Sequence, residues 1–489
     1  MFSKEQEDDI QSRGSHIEIV KQQVADFKTG FPFLDLDRPA TIGDGIVQLS
    51  EQETAAYVEG YEKATVNKSL LKFVPASGAA TRMFKDLFEY LAEGKLNAGT
   101  EQFIAGIQDF AFYTELVEAL KQQGLKMDEL LAAQDYQPIV RVLLEEDGLG
   151  YGSLPKGLLA FHKTENGAKT PLEEHLIEGA KYALGTDGVA HLHFTVSPEH
   201  QKKFELKLAS VVGRYEQAFE VKYQVSFSQQ KSSTDTLAVD LKNEPFLEDG
   251  KLLFRPAGHG ALLANLNDLE ADVVFVKNID NVVPDHLKAD TITYKKALAS
   301  MLIAFQQDSF GWLGRIAQGE DCTTEAQEIL KAKYGISLAL SSSAALAKYL
   351  NRPVRVCGMV VNTGEPGGGP FWVKEGEGTS LQIAETAQID LTNEAQAAIL
   401  KKSSHFNPVD LVCGVKDFKG RKFDLIQYRN NKTGFITQKS RGGKAVKAME
   451  LPGLWNGAMA DWVTLFVEVP ITTFNPVKTV NDLLKPTHQ

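Results

Sequence analysis

The chain has 489 residues, 43% of them hydrophobic, a net charge of −12 and three cysteines. That is enough apolar material for one large domain with appendages, and the acidic balance argues against a duplex-DNA binder, which more often carries a basic face. Cys322, Cys357 and Cys413 form no C-x-x-C pair, so neither a disulfide framework nor a zinc site is expected, and a reducing, cytoplasmic setting fits. The first residues, MFSKEQEDDIQSRG, are charged. No run reaches ~18 apolar residues, so neither a signal peptide nor a membrane span is expected.

Residues 1–69 read as a helical preamble. Ser50 and Glu53 form a capping box that opens a helix through about Ala64, and Gly30 to Gly45 is a Pro/Gly/Asp-rich connector. Leu70 to Pro75 is strand-like and leads into the small-residue turn Gly78, Ala79, Ala80, Thr81, followed by a helix pattern at Phe84, Leu87, Phe88 and Leu91. A strand, a small turn and a helix N-terminus can cradle phosphate on backbone N–H groups, with Arg82 and Lys85 as countercharge. An ordinary βα turn with two alanines packed on the helix is the alternative at this point. The segment is neither a Walker A loop nor G-x-G-x-x-G. Residues 86–150 are helix-patterned, and a Gly-rich run then ends in Pro155-Lys156-Gly157.

Thr170-Pro171 begins another helix. His191 to Val196 alternates as a strand. His175, His191 and His193 raise a zinc triad, but a strand crossing a polar cleft explains them better. Val221 to Gln229 is a further strand, and the amide of Gln229 can pair with a pyrimidine edge.

The most informative run is Leu253 to Asp285. Pro256, Gly258, His259 and Gly260 make a tight loop, because Pro fixes one dihedral and the glycines admit close backbone approach. A short helix follows to Leu269, then the buried strand Asp272 to Lys277, which ends in Asn278-Ile279-Asp280-Asn281. Polar groups there sit where open α/β sheets bind ligands. Asp280 can hold a hard cation such as Mg²⁺ through oxygen, or simply close an Asx turn.

Residues 286–350 are mostly helical and Pro353 to Val361 is a strand. Asn362 to Trp372 is rich in Gly and Pro, with Gly364, Glu365 and Trp372 suited to sugar hydroxyls and a sugar face. Glu385 closes a strand-like run, and Asn407 lies in Ser404-His405-Phe406-Asn407-Pro408. Residues 416–447 are basic and polar, which reads as solvated surface more readily than as a phosphate-grasping loop. An alternating strand, Val463 to Pro470, precedes Phe474-Asn475-Pro476-Val477-Lys478 and Asp482-Leu483-Leu484.

Taken in this order, the pieces resemble the UTP-dependent sugar-1-phosphate uridylyltransferases, the UDP-sugar pyrophosphorylases. Gly78, Thr81 and Arg82 resemble that family's G-x-G-T-R signature, and Pro155-Lys156 its lysine-bearing second half. Gln229 resembles the glutamine that meets uracil, and Gly258-His259-Gly260 the loop against uridine. Asn278 and Asp280 resemble its sugar-side and metal-binding strand end. Glu385 and Asn407 resemble sugar-facing residues, and Lys478 the phosphate-contacting lysine near the end of the catalytic domain. The chain departs from the pattern at Ala80, where the family has Gly, and in the helical stretch 86–150 between the two halves of the signature. The β-helix that often follows in the family is not expected after Gln489, so an oligomer is not implied. These departures are similar to those of a divergent bacterial group of the superfamily known only as a domain of unknown function.

The strands at about 70–75, 191–196, 221–227, 272–277 and 354–361 alternate with helices. They predict an α/β, doubly wound, mainly parallel sheet, which the resemblance specifies as Rossmann-like, of the nucleotide-diphospho-sugar transferase type. The expected organisation is a preamble over 1–69, a catalytic core over 70–404 and a completing α/β segment over 405–489. The resemblance implies nucleotidyl transfer, in which NTP, with UTP favoured, and a sugar 1-phosphate give an NDP-sugar and pyrophosphate. Arg82, Lys85, Lys156 and Lys478 are the expected catalytic cations and Mg²⁺ on Asp280 the expected cofactor. A non-catalytic nucleotide or sugar-phosphate binder is the alternative, favoured by Ala80. A scaffold ranks below it, and a kinase ranks last for want of a P-loop.

Overall fold

The structure is a computed structural model that describes residues 2–489 apart from 79, 166, 365, 366 and 377. The chain divides into two compact units, each assembled from separated segments: Met1–Leu70, Gln230–Val276 and Tyr294–Ile471 in the first, and Leu71–Gln229, Lys277–Thr293 and Thr472–Gln489 in the second.

The second unit contains the parallel strands Leu70–Pro75, Val189–Thr195 and Lys222–Ser228, in that order. Leu70, Leu71, Phe73 and Val74 are all buried, as a strand covered on both faces requires. Helix Pro171–Tyr182 starts with a Thr170–Glu173 capping box and is buried along most of its length, charged residues included. Glu178 lies between two buried ammonium groups, with Lys72 Nζ and Lys277 Nζ each 2.8 Å from its oxygens, and Tyr182 Oη donates to it at 2.7 Å. Burial opposes ionisation of this carboxyl, but the Coulombic pull of Lys277 and Lys72 outweighs it and holds the group well below the usual carboxylate range.

Residues 86–150 fold as five helices, Lys85–Glu93, Ala98–Ala105, Tyr113–Gln122, Met127–Ala132 and Gln137–Leu144. Phe103, Phe110, Phe112, Leu116 and Leu143 form the centre of their core, and the rings of Phe110 and Phe112 stack at 4.8 Å. Val477, Val480 and Leu483 of the C-terminal segment complete that same core.

In the first unit the sheet order is Thr41–Ile42, Gly45–Val47, Val463–Glu468, Val354–Val361, His405–Gly414 and Val273–Lys277. The first four strands are mutually parallel, and His405–Gly414 runs antiparallel to Val354–Val361. The fold is therefore α/β with a mainly parallel sheet. Two expectations need correction. The connector at Gly30 to Gly45 contributes strands, and at Gly45, which takes φ +99°, a Cβ would lie 2.8 Å from Leu381 Cδ2 and 2.9 Å from Trp372 Nε1. The Asn362 to Trp372 stretch is only partly a loop. Gly369–Glu375 is a strand paired with Leu36–Pro39 and Gly378–Ala384, and Trp372 is buried, its Nε1–H donating to Asp44 O at 3.2 Å. Trp372 is thus core rather than an open sugar platform. The basic stretch 416–447 includes the start of a hairpin, Phe435–Arg441 with Lys444–Glu450, whose tip glycines, Gly442 and Gly443, both take positive φ. Among the described residues no helix is long and apolar enough to cross a membrane.

Candidate functional site

In the second unit, three distant stretches meet around one ion pair. The turn Pro155-Lys156-Gly157 enters a short 3-10 helix, Lys156–Leu158. Gly157 packs there because a Cβ would meet the Phe204 ring at 2.7 Å. Lys156 Nζ lies 2.7 Å from Asp280 Oδ2 and donates to Val477 O at 2.6 Å, across 124 and 321 residues of sequence. Both charged side chains are 18% exposed, so the pair is reachable from solvent yet sheltered. Lys478 follows the carbonyl that holds Lys156. Its backbone N–H and that of Thr479 both donate to Asp482 Oδ2, at 2.8 and 2.6 Å, and its side chain is exposed.

Asn278 is half-buried at the strand end, and its carbonyl accepts from Asn281 N–H at 3.2 Å, closing the turn. Asn281, which motif reading leaves without a role, accepts from Asn475 N–H at 2.8 Å and donates to Thr473 O at 3.3 Å. It thereby pins the strand end to the C-terminal segment. Beneath the turn, His175 Nε2 donates to Ile279 O at 3.2 Å. Burial, helped by Lys72, pushes the His175 imidazole well below its ordinary range, so it stays neutral.

The phosphate-turn residues are placed less uniformly. Ala80 is fully buried in the helical core, and its N–H donates to Leu154 O at 3.2 Å. That donor is occupied within the chain. Thr81 and Arg82 are exposed, and Arg82 pairs with no carboxylate among the described residues. Lys85 opens helix Lys85–Glu93 and pairs loosely with Glu89 at 3.4 Å. A Cβ on Gly78 would meet nothing within 4 Å, so the turn is open at that point. Ala79 lies outside the described residues. Gln229, one residue past the strand Lys222–Ser228, is exposed and donates to Gln201 Oε1 at 2.9 Å.

In the first unit, a second group forms around Gly258-His259-Gly260. Gly258 takes φ +75°, and a Cβ on it would lie 2.6 Å from Glu450 Oε2. A Cβ on Gly260 would lie 2.1 Å from Pro452 O. Both glycines are therefore set by the chain that passes beside them. His259 stacks on Trp455 with ring centroids 4.2 Å apart, and its Nδ1 accepts from Leu454 N–H at 3.0 Å. Burial pushes the imidazole down to about 4. Pro256 is exposed at the rim.

Glu385 follows the strand Gly378–Ala384 and accepts from Asn456 Nδ2 at 2.6 Å. The segment Glu450 to Asn456 thus touches both the Gly-His-Gly loop and Glu385. No sequence motif covers Pro452 to Asn456, and a Gly beside Trp and Asn in a short loop is the one signal it carries. Asn407 is buried. Its Oδ1 accepts from Val409 N–H at 3.1 Å and its N–H donates to Gly368 O at 2.8 Å, so those groups serve the bulge where Val409 takes the unusual φ of +60°. Gly364 is exposed at φ +109°, and Glu365 lies outside the described residues. A cavity of about 710 Å³ lined by Lys348, Arg352, Phe418 and Tyr428 is elsewhere in this unit and includes none of these residues.

Among the described residues no three or more His, Cys, Asp or Glu side chains gather in a way that could hold a metal. His193 is engaged by two hydroxyls, Ser226 and Ser228, at 2.8 and 2.7 Å. Mg²⁺ carried by a nucleotide needs only one or two protein carboxylates, its other ligands being phosphate and water, and Asp280 fits that lesser requirement once Lys156 yields it.

An α/β fold with charged turns at the ends of a mainly parallel sheet defines the class. Within it, the chain belongs to the family described as "Domain of unknown function (DUF4301)", whose profile matches residues 3–489. No curated protein matches the chain. Among solved structures, the chain is similar to a variant UDP-glucose pyrophosphorylase from Leishmania major in complex with UDP-glucose, at 13% identity and a TM-score of 0.47, covering 98% of this chain and 77% of that one. A UDP-glucose phosphorylase from Trypanosoma brucei gives the same 13% identity, TM-score of 0.47 and coverage of 98% and 77%. The uridine diphosphate N-acetylglucosamine pyrophosphorylase from Trypanosoma brucei gives 12% identity and a TM-score of 0.48, covering 95% and 74%.

Proposed function

We propose that the chain is a nucleotidyltransferase that joins a nucleoside triphosphate, with UTP preferred, to a sugar 1-phosphate, releasing pyrophosphate. The observation that carries this reading is the junction of Lys156, Asp280 and the Val477-Lys478 backbone. It brings together three of the motifs through which the sequence resembles the uridylyltransferases.

The sugar phosphate oxygen is already an anion at neutral pH, so its attack on the α-phosphorus needs no general base. The barrier is the meeting of two polyanions, and catalysis becomes positioning and charge neutralisation. Lys156, released from Asp280, neutralises the α-phosphate from one side, and Lys478 faces the sugar phosphate. Arg82, with no carboxylate partner among the described residues, and Lys85, only loosely held, attract the leaving β- and γ-phosphates. Asp280 would hold Mg²⁺, which supplies charge neutralisation at the α-phosphate when bound. The sequence resemblance assigns the base to Gly258, His259 and Gly260 and the sugar hydroxyls to Glu385.

Thermal unfolding with UTP, ATP, GTP, CTP and dTTP, each with Mg²⁺, tests the binding step, since a ligand at about 100 times its Kd adds about 2.7 kcal/mol. Pyrophosphate release across a panel of sugar 1-phosphates tests the chemistry. Absence of any nucleotide-induced shift would sink the reading. A second reading, a binder without turnover, is favoured by Ala80, whose N–H is taken by Leu154 O. It predicts nucleotide stabilisation with no pyrophosphate release for any sugar.

A further inference from the structure

The Gly-His-Gly loop presents one defined hydrogen-bond donor. Leu454 N–H donates to His259 Nδ1 at 3.0 Å. In a neutral imidazole one ring nitrogen accepts and the other carries the proton, so the proton resides on Nε2. Among the described residues Nε2 has no partner, and the His259 side chain is only partly covered.

The ring plane is fixed as well. Trp455 stacks on it at 4.2 Å with an interplanar angle of 14°. Trp455 is itself anchored, because the fully buried Arg355 donates through Nη1 to its carbonyl and through Nε to Thr464 Oγ1 at 2.8 Å. Gly453 lies so close under the imidazole that a Cβ would sit 2.6 Å from its Cε1. Tautomer, plane and approach of His259 are thus all set by Gly453, Leu454 and Trp455.

We infer that Trp455 is a positioning residue for base selection: with Leu454 it holds His259 as an Nε2–H donor that accepts bases presenting a carbonyl oxygen and rejects those presenting an amino group at the same edge. This rests on the reading that the Gly-His-Gly loop holds the base. Uracil and thymine present a 4-keto oxygen where cytosine presents a 4-amino group. A fixed donor facing that edge leaves two donors opposed when cytosine enters, and an unpaired buried polar group is costly.

The test compares the wild-type chain with Trp455→Phe and Trp455→Leu, using UTP and CTP titrations in Mg²⁺ followed by calorimetry. ¹⁵N NMR of the histidine rings at neutral pH reports the tautomer. Trp455→Leu keeps apolar bulk but removes the ring face, and Trp455→Phe restores a ring should the leucine variant fold poorly. The expected result is an Nε2–H tautomer for His259, UTP preferred over CTP in the wild type, and that preference reduced about tenfold by Trp455→Leu and largely retained by Trp455→Phe. A merely structural role would weaken both nucleotides equally and leave their ratio unchanged. Equal loss of UTP and CTP, an unchanged preference in Trp455→Leu, or an Nδ1–H tautomer would each overturn the inference while leaving the transferase reading intact. If no nucleotide binds the wild type, both fall. If discrimination follows Trp455 but no sugar 1-phosphate yields pyrophosphate, the inference stands and the transferase reading fails.

Discussion

Lys156 and Asp280 neutralise each other at 2.7 Å, so their shared site is held ready without an unpaired charge. Removing one partner strands the other. Lys156→Met and Asp280→Asn are each expected to lower turnover by about 10²–10³, the usual effect of deleting one charge-stabilising group, as read by pyrophosphate release under saturating nucleotide. If both variants, together with Lys478→Ala, turn over normally, the site assignment is wrong. Proton linkage gives a second expectation at this scale. His175, His259 and His488 all have imidazoles pushed below their ordinary 6.5 by burial, His259 to about 4 and His488 to about 3. Below 6.5 the unfolded chain takes up protons that the folded chain refuses. Stability is therefore fully present above about 6.5 and is lost as pH falls from there toward about 4 for His259 and about 3 for His488, with a limiting slope of about 1.4 kcal/mol per pH unit for each histidine. Denaturant midpoints at pH 7, 6 and 5 measure it. His488→Gln should flatten the slope, and a midpoint that rises on acidification would contradict the assignment.

Local signals carried well wherever they were self-contained. The Ser50–Glu53 capping box is present in both of its hydrogen bonds at the start of helix Glu51–Ala64, and Ser50→Ala is expected to lower stability by about 1 kcal/mol in a denaturant melt. The buried strands Leu70–Pro75 and Val273–Lys277 were equally plain from their apolar runs. What the sequence hid depends on partners far along the chain. Gly30 to Gly45 reads as connector because its strands are too short for periodicity, and only Leu381 and Trp372 give Gly45 its purpose. Trp372 looks like a sugar platform until Leu36–Pro39 pairs with the strand that bears it. Glu450 to Asn456 shows no motif, yet its carbonyls decide that residue 260 must be glycine. Gly260→Ala would place a methyl 2.1 Å from Pro452 O. The loop must then shift, and thermal melting should fall by the equivalent of about 1–3 kcal/mol, with UTP affinity falling alongside. A Gly260→Ala protein as stable as wild type would mean this packing is wrong.

At the scale of the whole molecule, the net charge of −12 would repel a nucleoside triphosphate, whereas in the proposed site Arg82, Lys85, Lys156 and Lys478 would attract it. Screening reaches about 10 Å at 0.1 M salt. If the local cations dominate, nucleotide affinity falls as salt is raised from about 0.05 to 0.5 M, and calorimetry that found affinity rising with salt would assign control to the global charge. The segmented make-up of the second unit has a consequence for how the protein is made. Its helical core is closed by Val477, Val480 and Leu483, which are synthesised long after the helices they cover. At about 5–20 residues per second, Phe103, Phe110 and Phe112 wait on the order of tens of seconds for the side chains that cover them. During that interval the nascent chain offers an aromatic surface to any holding chaperone, and the arrival of the Thr472–Gln489 segment is the event that lets this unit close.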